Sequence, residues 1–377
     1  MASRRPSATR SATTTDTGGT RMNAAMKAPV IRRSRRGSPF AVAAMVAMTL
    51  ATGSCSAKPV DRTDLVLGTV CSIRLLDGGS KAALDAAFAR LREIEAEMSA
   101  NADGTVVAAI NAGAGRSPVA APADVRYVTG KALQYAAMSG GAFDPTIGPI
   151  VKLWNIGLDG ERIPSHEEIR AALPLVDYRS VRVDEAAGTV YLPRAGMLLD
   201  LGAIAKGYAA DEVARVLREK RVKAAVIDLG GNVMVTGKKP DGSSWRVGIQ
   251  NPFDDRGAHI GIASLQGGST VVTSGVYERY FIGEDGQRYH HILDPATGYP
   301  VRNGLVSVTV VSSSSVDADG LSTTLFSLGL QRGMALAESL DHVEAVFIDE
   351  GRRVYMSSGA AAVFKLGDPS FSVSELP

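Results

Sequence analysis

The chain has 377 residues, 45% hydrophobic and 21% charged, enough for a sizeable core and too balanced for a disordered protein. Its formal net charge is only +2, and part of the basic excess lies in the first 36 positions, so no nucleic-acid partner is expected. Residues 1–57 read as a disordered extension followed by a signal peptide. The first 21 residues are rich in Ser, Thr and Arg without any apolar period. Arg32, Arg33, Arg35 and Arg36 then precede an apolar stretch from Phe40 to Ala51, and small residues surround Cys55. That is the order of a secretory signal, and the run is too short to span a bilayer. Ser54 supplies the small residue that lipoprotein processing needs before Cys55, which is therefore the expected lipid anchor, with cleavage near Ala57 as the alternative. The mature protein is expected to be exported, either lipid-anchored to the outer face of the cytoplasmic membrane or periplasmic. With Cys55 lipidated, Cys71 has no partner and a disulfide framework is excluded.

Residues 58–377 contain no second low-complexity linker and no repeat, so one domain is expected. Alternating β-branched residues predict a strand from Leu65 to Leu75, and Leu84, Phe88, Leu91 and Met98 fall on one face of a helix from Lys81 to Met98. Helices follow from Asp124 to Met138 and from Ala205 to Glu219, the latter preceded by a strand at Met197-Leu198-Leu199. Further strands are expected at Ala224 to Leu229, Trp245 to Gln250, Val271 to Thr273, Leu305 to Val311 and Ala345 to Ile348. A helix pair covers Ala318 to Leu328 and Gln331 to Ser339. The elements do not alternate regularly, and Gly230-Gly231 and Asp241-Gly242 mark turns between neighbouring strands. The fold class is α+β, with mixed, largely antiparallel sheets and packed helices.

Four polar clusters interrupt this framework. Gly140 to Pro149 holds Ala142, Phe143 and Asp144 among small residues that allow close backbone approach, to a ligand or simply within a turn. Asp200 to Tyr208 leads into a helix whose N-terminus, with Lys206 beside it, suits a pyrophosphate; a solvated Lys206 is the alternative. Neither a Walker loop nor GxGxxG is present. Tyr289 to Pro300 contains His290 and His291, which point to opposite faces if in a strand, so one of them can reach a given site. His291 with Asp294 three residues on can act as base or orienting group for a hydroxyl, or belong to a hydrogen-bonded turn. In the last cluster Asp319 is either the N-cap of the helix that follows or, with Thr323 on the same helical face, one of two oxygen ligands of the kind magnesium prefers.

In this order and separation the clusters resemble the ApbE family, the FAD:protein FMN transferases. The resemblance spans most of residues 58–377. It runs through Leu67-Gly68-Thr69, Gly141 to Thr146, Asp200 to Gly207, Asp228 to Asn232, Thr273-Ser274-Gly275 with Tyr277, His290 to Gly298, and Asp319 to Thr323. It implies a T-fold-like single domain, exported and often lipidated, that binds FAD through Leu67, Ala142, Phe143, Asp144, Asp200, Lys206 and Ile292. It also implies Mg2+ held by the backbone carbonyl of Ala203, the carboxylate of Asp319 and the hydroxyl of Thr323. The family usually has Met at the place of Leu67, often an aromatic residue at Asn101 and Asp at Val276; Leu67 can still cover a flavin ring by apolar contact.

The reaction implied is attack by a Thr or Ser hydroxyl of an acceptor protein, of the kind found in membrane redox complexes, on the FMN-side phosphorus of FAD, with release of AMP. His291 and Asp294 are the candidates that act on the hydroxyl. The competing readings are an FAD pyrophosphatase, in which water replaces the hydroxyl, and a periplasmic FAD-binding lipoprotein without catalysis.

Overall fold

Alternating burial makes Val60–Val66 (β1) and Thr69–Asp77 (β2) an antiparallel pair joined by Leu67 and Gly68, both with positive φ, 57° and 64°. Positive φ at both central positions marks a type I′ hairpin turn. The single strand expected from Leu65 to Leu75 is thus a hairpin; Leu stands where such turns usually carry Asn or Gly, so no turn signal was visible. These strands open a computed structural model that describes residues 58–254 and 257–377, within one compact unit. Cys55 and the apolar run before it lie outside the described residues.

The helix Lys81–Met98 (α1) follows, capped by the Ser80 hydroxyl, and Ala123–Ser139 (α2) and Ala205–Glu219 (α3) come next. Strands Ala224–Leu229 (β3), Asn232–Thr236 (β4) and Ser269–Gly275 (β5) lead to a hairpin of Tyr280–Ile282 (β6) and Arg288–His290 (β7). The chain then forms Leu305–Ser312 (β8), helices Ser315–Leu328 (α4) and Leu330–Glu338 (α5), and strands Glu344–Asp349 (β9), Arg353–Met356 (β10) and Ser372–Val373 (β11). Nine of these strands make one sheet in the order β1-β2-β3-β4-β5-β8-β9-β10-β11, antiparallel at every pair except β10–β11. All eight residues of β8 are buried, because both faces of the sheet are covered there. On one side α4 lies across β5 and β8, with α3 and α5 beside it and α1 against α3. On the other, Val271 and Val311 meet Trp245, Ala263 and Leu265 of a three-stranded sheet built from Trp245–Gln250, His259–Leu265 and Phe364–Leu366.

Two expected features differ. Met197 to Leu199 is not a strand; only Leu198 makes an isolated bridge, to Ile147. The Asp241-Gly242 turn does not join a hairpin, because the strands on either side of it belong to different sheets. Cys71 is buried and unpaired, its thiol donating to the Val66 carbonyl and pushed up to about 12 chiefly by burial. Among the described residues no helix is long and apolar enough to cross a membrane.

Candidate active site

Helices α3 and α4 cross at Gly207. A Cβ there would lie 2.2 Å from the Ser315 carbonyl oxygen and 2.6 Å from the Asp319 Cβ, so only glycine permits this approach. The crossing lets each helix cap the other. Ile204, the N-cap residue of α3, offers no side-chain acceptor, and the orphan N–H of Gly207 donates instead to Asp319 Oδ2 at 2.8 Å. In return Asp211 of α3 accepts the N–H groups of Ser315, at 3.0 Å, and Val316, at 2.8 Å. The reading of Asp319 as the N-cap of its own helix is therefore corrected: Ser314 holds that place, and α4 begins four residues before Asp319.

Asp319 is 4% exposed, and burial pushes its carboxyl above the usual range against the opposing pull of Lys206 and the Gly207 N–H. Lys206 Nζ lies 3.6 Å from Asp319 Oδ1 and donates to the Gly202 carbonyl at 3.3 Å. One turn beyond Asp319, the Thr323 hydroxyl meets Ser274 Oγ of β5 at 3.0 Å, and Ser274 also meets Ser322 Oγ at 2.8 Å. Because the Gly207 N–H goes to Asp319, it does not return to the Ala203 carbonyl four residues back, which leaves that oxygen available. A carbonyl, a carboxylate and a hydroxyl are hard oxygen donors that fit magnesium. The described residues hold no cluster of three His, Cys, Asp or Glu, so a metal here would draw its remaining ligands from substrate phosphates and water.

Beside this crossing, His290 ends β7 and His291 follows it outside the strand. His290 is buried, donates from Nε2 to the Val301 carbonyl at 2.9 Å and packs edge-on to Phe326. His291 turns the other way, and its Nδ1 bonds the Arg279 carbonyl at 3.2 Å. A carbonyl only accepts, so the proton sits on Nδ1 and Nε2 keeps a free lone pair. Burial first, then the charge of Arg279, pushes this imidazole down to about 3, and Lys206 is close enough to contribute. Asp294 does not pair with His291. Its carboxylate accepts the Ala296 N–H, at 2.9 Å, and the Thr297 hydroxyl, at 3.0 Å, and so holds the turn that follows. Arg279 also reaches the Gly68 carbonyl at 3.5 Å, which links the β1–β2 turn and its half-buried Leu67 to the histidine loop.

The first cluster is built inward. Asp144 accepts the N–H and hydroxyl of Thr146, at 2.8 and 2.6 Å, and the Tyr178 N–H at 3.0 Å. Its carboxylate therefore fixes the loop, while Phe143 packs edge-on to Tyr135 and Ala142 stays half-buried. Gly148 meets protein at close range, since a Cβ there would lie 2.6 Å from the Leu198 carbonyl oxygen. The Asp200 N–H bonds the Pro145 carbonyl at 2.8 Å and its carboxylate accepts the Gly202 N–H at 2.8 Å, so the Asp144 and Lys206 segments lie side by side. Ile292 is buried in the main core.

The profile of the ApbE family matches residues 67–347. The chain belongs to the ApbE family. It is 37% identical over 351 residues to the FAD:protein FMN transferase of Treponema pallidum, covering 88% of this chain and 96% of that one. The FAD:protein FMN transferase of Klebsiella pneumoniae is 42% identical over 286 residues, or 76% of this chain and 88% of its own. The crystal structure of the ApbE protein from Thermotoga maritima superposes with a TM-score of 0.75 at 30% identity, covering 81% of this chain and 99% of that one.

Within this ApbE framework, Val276 is buried at 9% exposure, so an apolar residue satisfies its position by packing. Asn101 accepts from Lys152 Nζ at 3.1 Å. Three residues that shape the site carried no role in the sequence reading. Ser274 sat in a quoted motif but looked like strand polarity; Arg279 acts through its backbone carbonyl; Asp211 lies one turn after Gly207, and only that spacing could have marked it.

Proposed function

We infer that this protein transfers the FMN moiety of FAD to a hydroxyl of an acceptor protein. The reading is carried by the meeting of Asp319, Lys206 and Thr323 where α3 and α4 cross, with a neutral histidine facing the same place, in a chain of this family. The acceptor hydroxyl attacks the FMN-side phosphorus. An O–P bond forms, the bond to the bridging pyrophosphate oxygen breaks, and AMP leaves. Ala203, Asp319 and Thr323 would hold magnesium, whose chemistry there is to neutralise pyrophosphate charge. Lys206, at the positive end of the α3 dipole, adds fixed positive charge where the leaving group becomes more negative. His291 Nε2 accepts the hydroxyl proton and aligns the oxygen, while Arg279 fixes its tautomer. The loops of Ala142 to Asp144 and Asp200, with Leu67 at the hairpin tip, flank the cofactor, and Asp294 keeps the histidine loop in shape.

If water entered in place of the hydroxyl, the same groups would give free FMN and AMP. Incubating the purified protein with FAD, magnesium and an acceptor separates the two: transfer leaves FMN covalently on protein, hydrolysis leaves it free. We further propose that residues 1–57 export the enzyme and that Cys55 carries lipid on the outer face of the membrane, close to membrane-bound redox acceptors. The arginine cluster, apolar run and Ser54-Cys55 sequence support this. Intact-mass analysis of the native protein checks it; a mature chain starting at Ala57 or Lys58 without lipid would remove the anchor and leave the enzyme.

A further inference from the structure

We propose that Lys206 competes with the metal for the Asp319 carboxylate and yields it only when a pyrophosphate offers the ammonium another partner, so that cofactor and metal bind cooperatively. The proposal rests on the metal-dependent reading above. Both oxygens of Asp319 are engaged. Oδ2 accepts the Gly207 N–H at 2.8 Å, and Oδ1 faces Lys206 Nζ at 3.6 Å. Among the described residues no other cation lies within ion-pairing distance of this carboxylate. The Asp319 side chain is buried, while that of Lys206 is 29% exposed. A buried carboxylate stripped of its partner is strongly destabilising, so Asp319 always needs a cation beside it. The ammonium is held from its other side by the Gly202 carbonyl at 3.3 Å, next in the chain to Ala203. Gly202 is itself fixed, its N–H donating to Asp200 Oδ1 at 2.8 Å. Lys206 thus sits between a loop carbonyl and a carboxylate, the same kinds of hard oxygen donor that the proposed metal site offers.

The charges set the coupling. Lys206 and Asp319 together are neutral. A divalent cation added to this pair alone leaves its charge uncompensated, and it repels the ammonium through a short stretch of poorly screening protein. A pyrophosphate brings the missing negative charge to the same place. The Lys206 stem is flexible and its three donors rotate, so the ammonium can pass from Oδ1 to a phosphate oxygen and keep a charge-assisted bond. Asp319 Oδ1 is then open to the metal, while Oδ2 stays on the Gly207 N–H and α3 remains capped.

Manganese(II) is the probe, since carboxylate, carbonyl and water oxygens suit it as they suit magnesium. It would be titrated into the full chain freed of flavin, with unbound manganese read by electron paramagnetic resonance. A second titration adds an FAD analogue whose pyrophosphate bridge is an uncleavable methylene group. The analogue should tighten manganese binding to the parental protein roughly tenfold, and manganese should tighten the analogue by the same factor. Lys206→Met keeps the stem and removes the charge. It should bind manganese about tenfold more tightly than the parental chain without the analogue, and the analogue should then add less. Lys206→Arg, which restores a cation, should lose that gain, and so should Lys206→Met combined with Asp319→Asn. Lys206→Gln, still able to donate to Gly202, repeats the test if Lys206→Met does not fold. The proposal is overturned if the uncharged variants bind manganese alone no more tightly than the parental chain, or if the gain survives Asp319→Asn. A parental protein that binds no manganese even with the analogue overturns the metal-dependent reading itself.

Discussion

Asp319 holds the one full negative charge among the three groups proposed to bind metal, and it also caps α3 through the Gly207 N–H. Asp319→Ala should therefore do two separable things. Loss of the cap should lower stability by about 1–2 kcal/mol, visible in a denaturant melt. Metal-dependent cleavage of FAD should fall by orders of magnitude, because phosphoryl transfer depends on charge neutralisation. Thr323→Val keeps the shape and removes one hydroxyl, so its loss should be smaller and partly restored by added magnesium. A folded Asp319→Ala protein that cleaves FAD at the parental rate in chelator would reduce Asp319 to a cap. Lys206, 3.6 Å from that carboxylate, should contribute as a charged hydrogen bond to the pyrophosphate, about 1.5–3 kcal/mol. Lys206→Ala should then weaken FAD binding tenfold or more by fluorescence titration; unchanged affinity would return Lys206 to a role in balancing Asp319 alone.

The α3–α4 crossing makes these side chains neighbours, and it depends on the missing Cβ of Gly207. Gly207→Ala should destabilise by about 1–3 kcal/mol through overpacking against backbone that cannot yield. It should also cost more FAD cleavage than stability, because the displaced groups are Asp319 and the α3 N-terminus; a variant with parental kcat and KM would show that the site tolerates a wider crossing. Much of this element was legible beforehand. The period of Ala205 to Glu219 gave α3 with its observed bounds, and the spacing of Asp319 and Thr323 put them on one helical face. What stayed hidden is tertiary. A sequence shows that a helix begins near Lys206 but not that a carboxylate 112 residues away caps it. The β1–β2 turn was missed because Leu67 occupies a left-handed position that Leu rarely takes, held there by packing against the core. For Asp144 and Asp294 the sequence left a ligand-facing role and a turn open, and it could not choose because it does not reveal which N–H and O–H groups these carboxylates already accept.

For the molecule as a whole, the buried face of β7 ties stability to pH. His290 is 6% exposed and burial pushes its imidazole from the ordinary 6.5 down to about 4. Above pH 6.5 both folded and unfolded chains hold it neutral and it contributes nothing. As pH falls, the unfolded chain takes the proton first, so this group should cost the fold on the order of 3 kcal/mol by pH 4. His290→Gln, which can still donate to Val301, should flatten the fall in Tm between pH 7 and 4.5; identical slopes would place the acid sensitivity elsewhere. The chemistry, in contrast, is assembled across the domain, from the hairpin tip at Leu67 through Arg279 and His291 to the crossing at Asp319, and a transferase must open that assembly to another protein. The most direct measurement is the intact mass of an acceptor protein co-expressed with the parental chain or with Asp319→Ala. The account predicts FMN linked to a Thr or Ser of the acceptor in the first case and an unmodified acceptor in the second; free FMN and AMP beside an unmodified acceptor with the parental chain would contradict it.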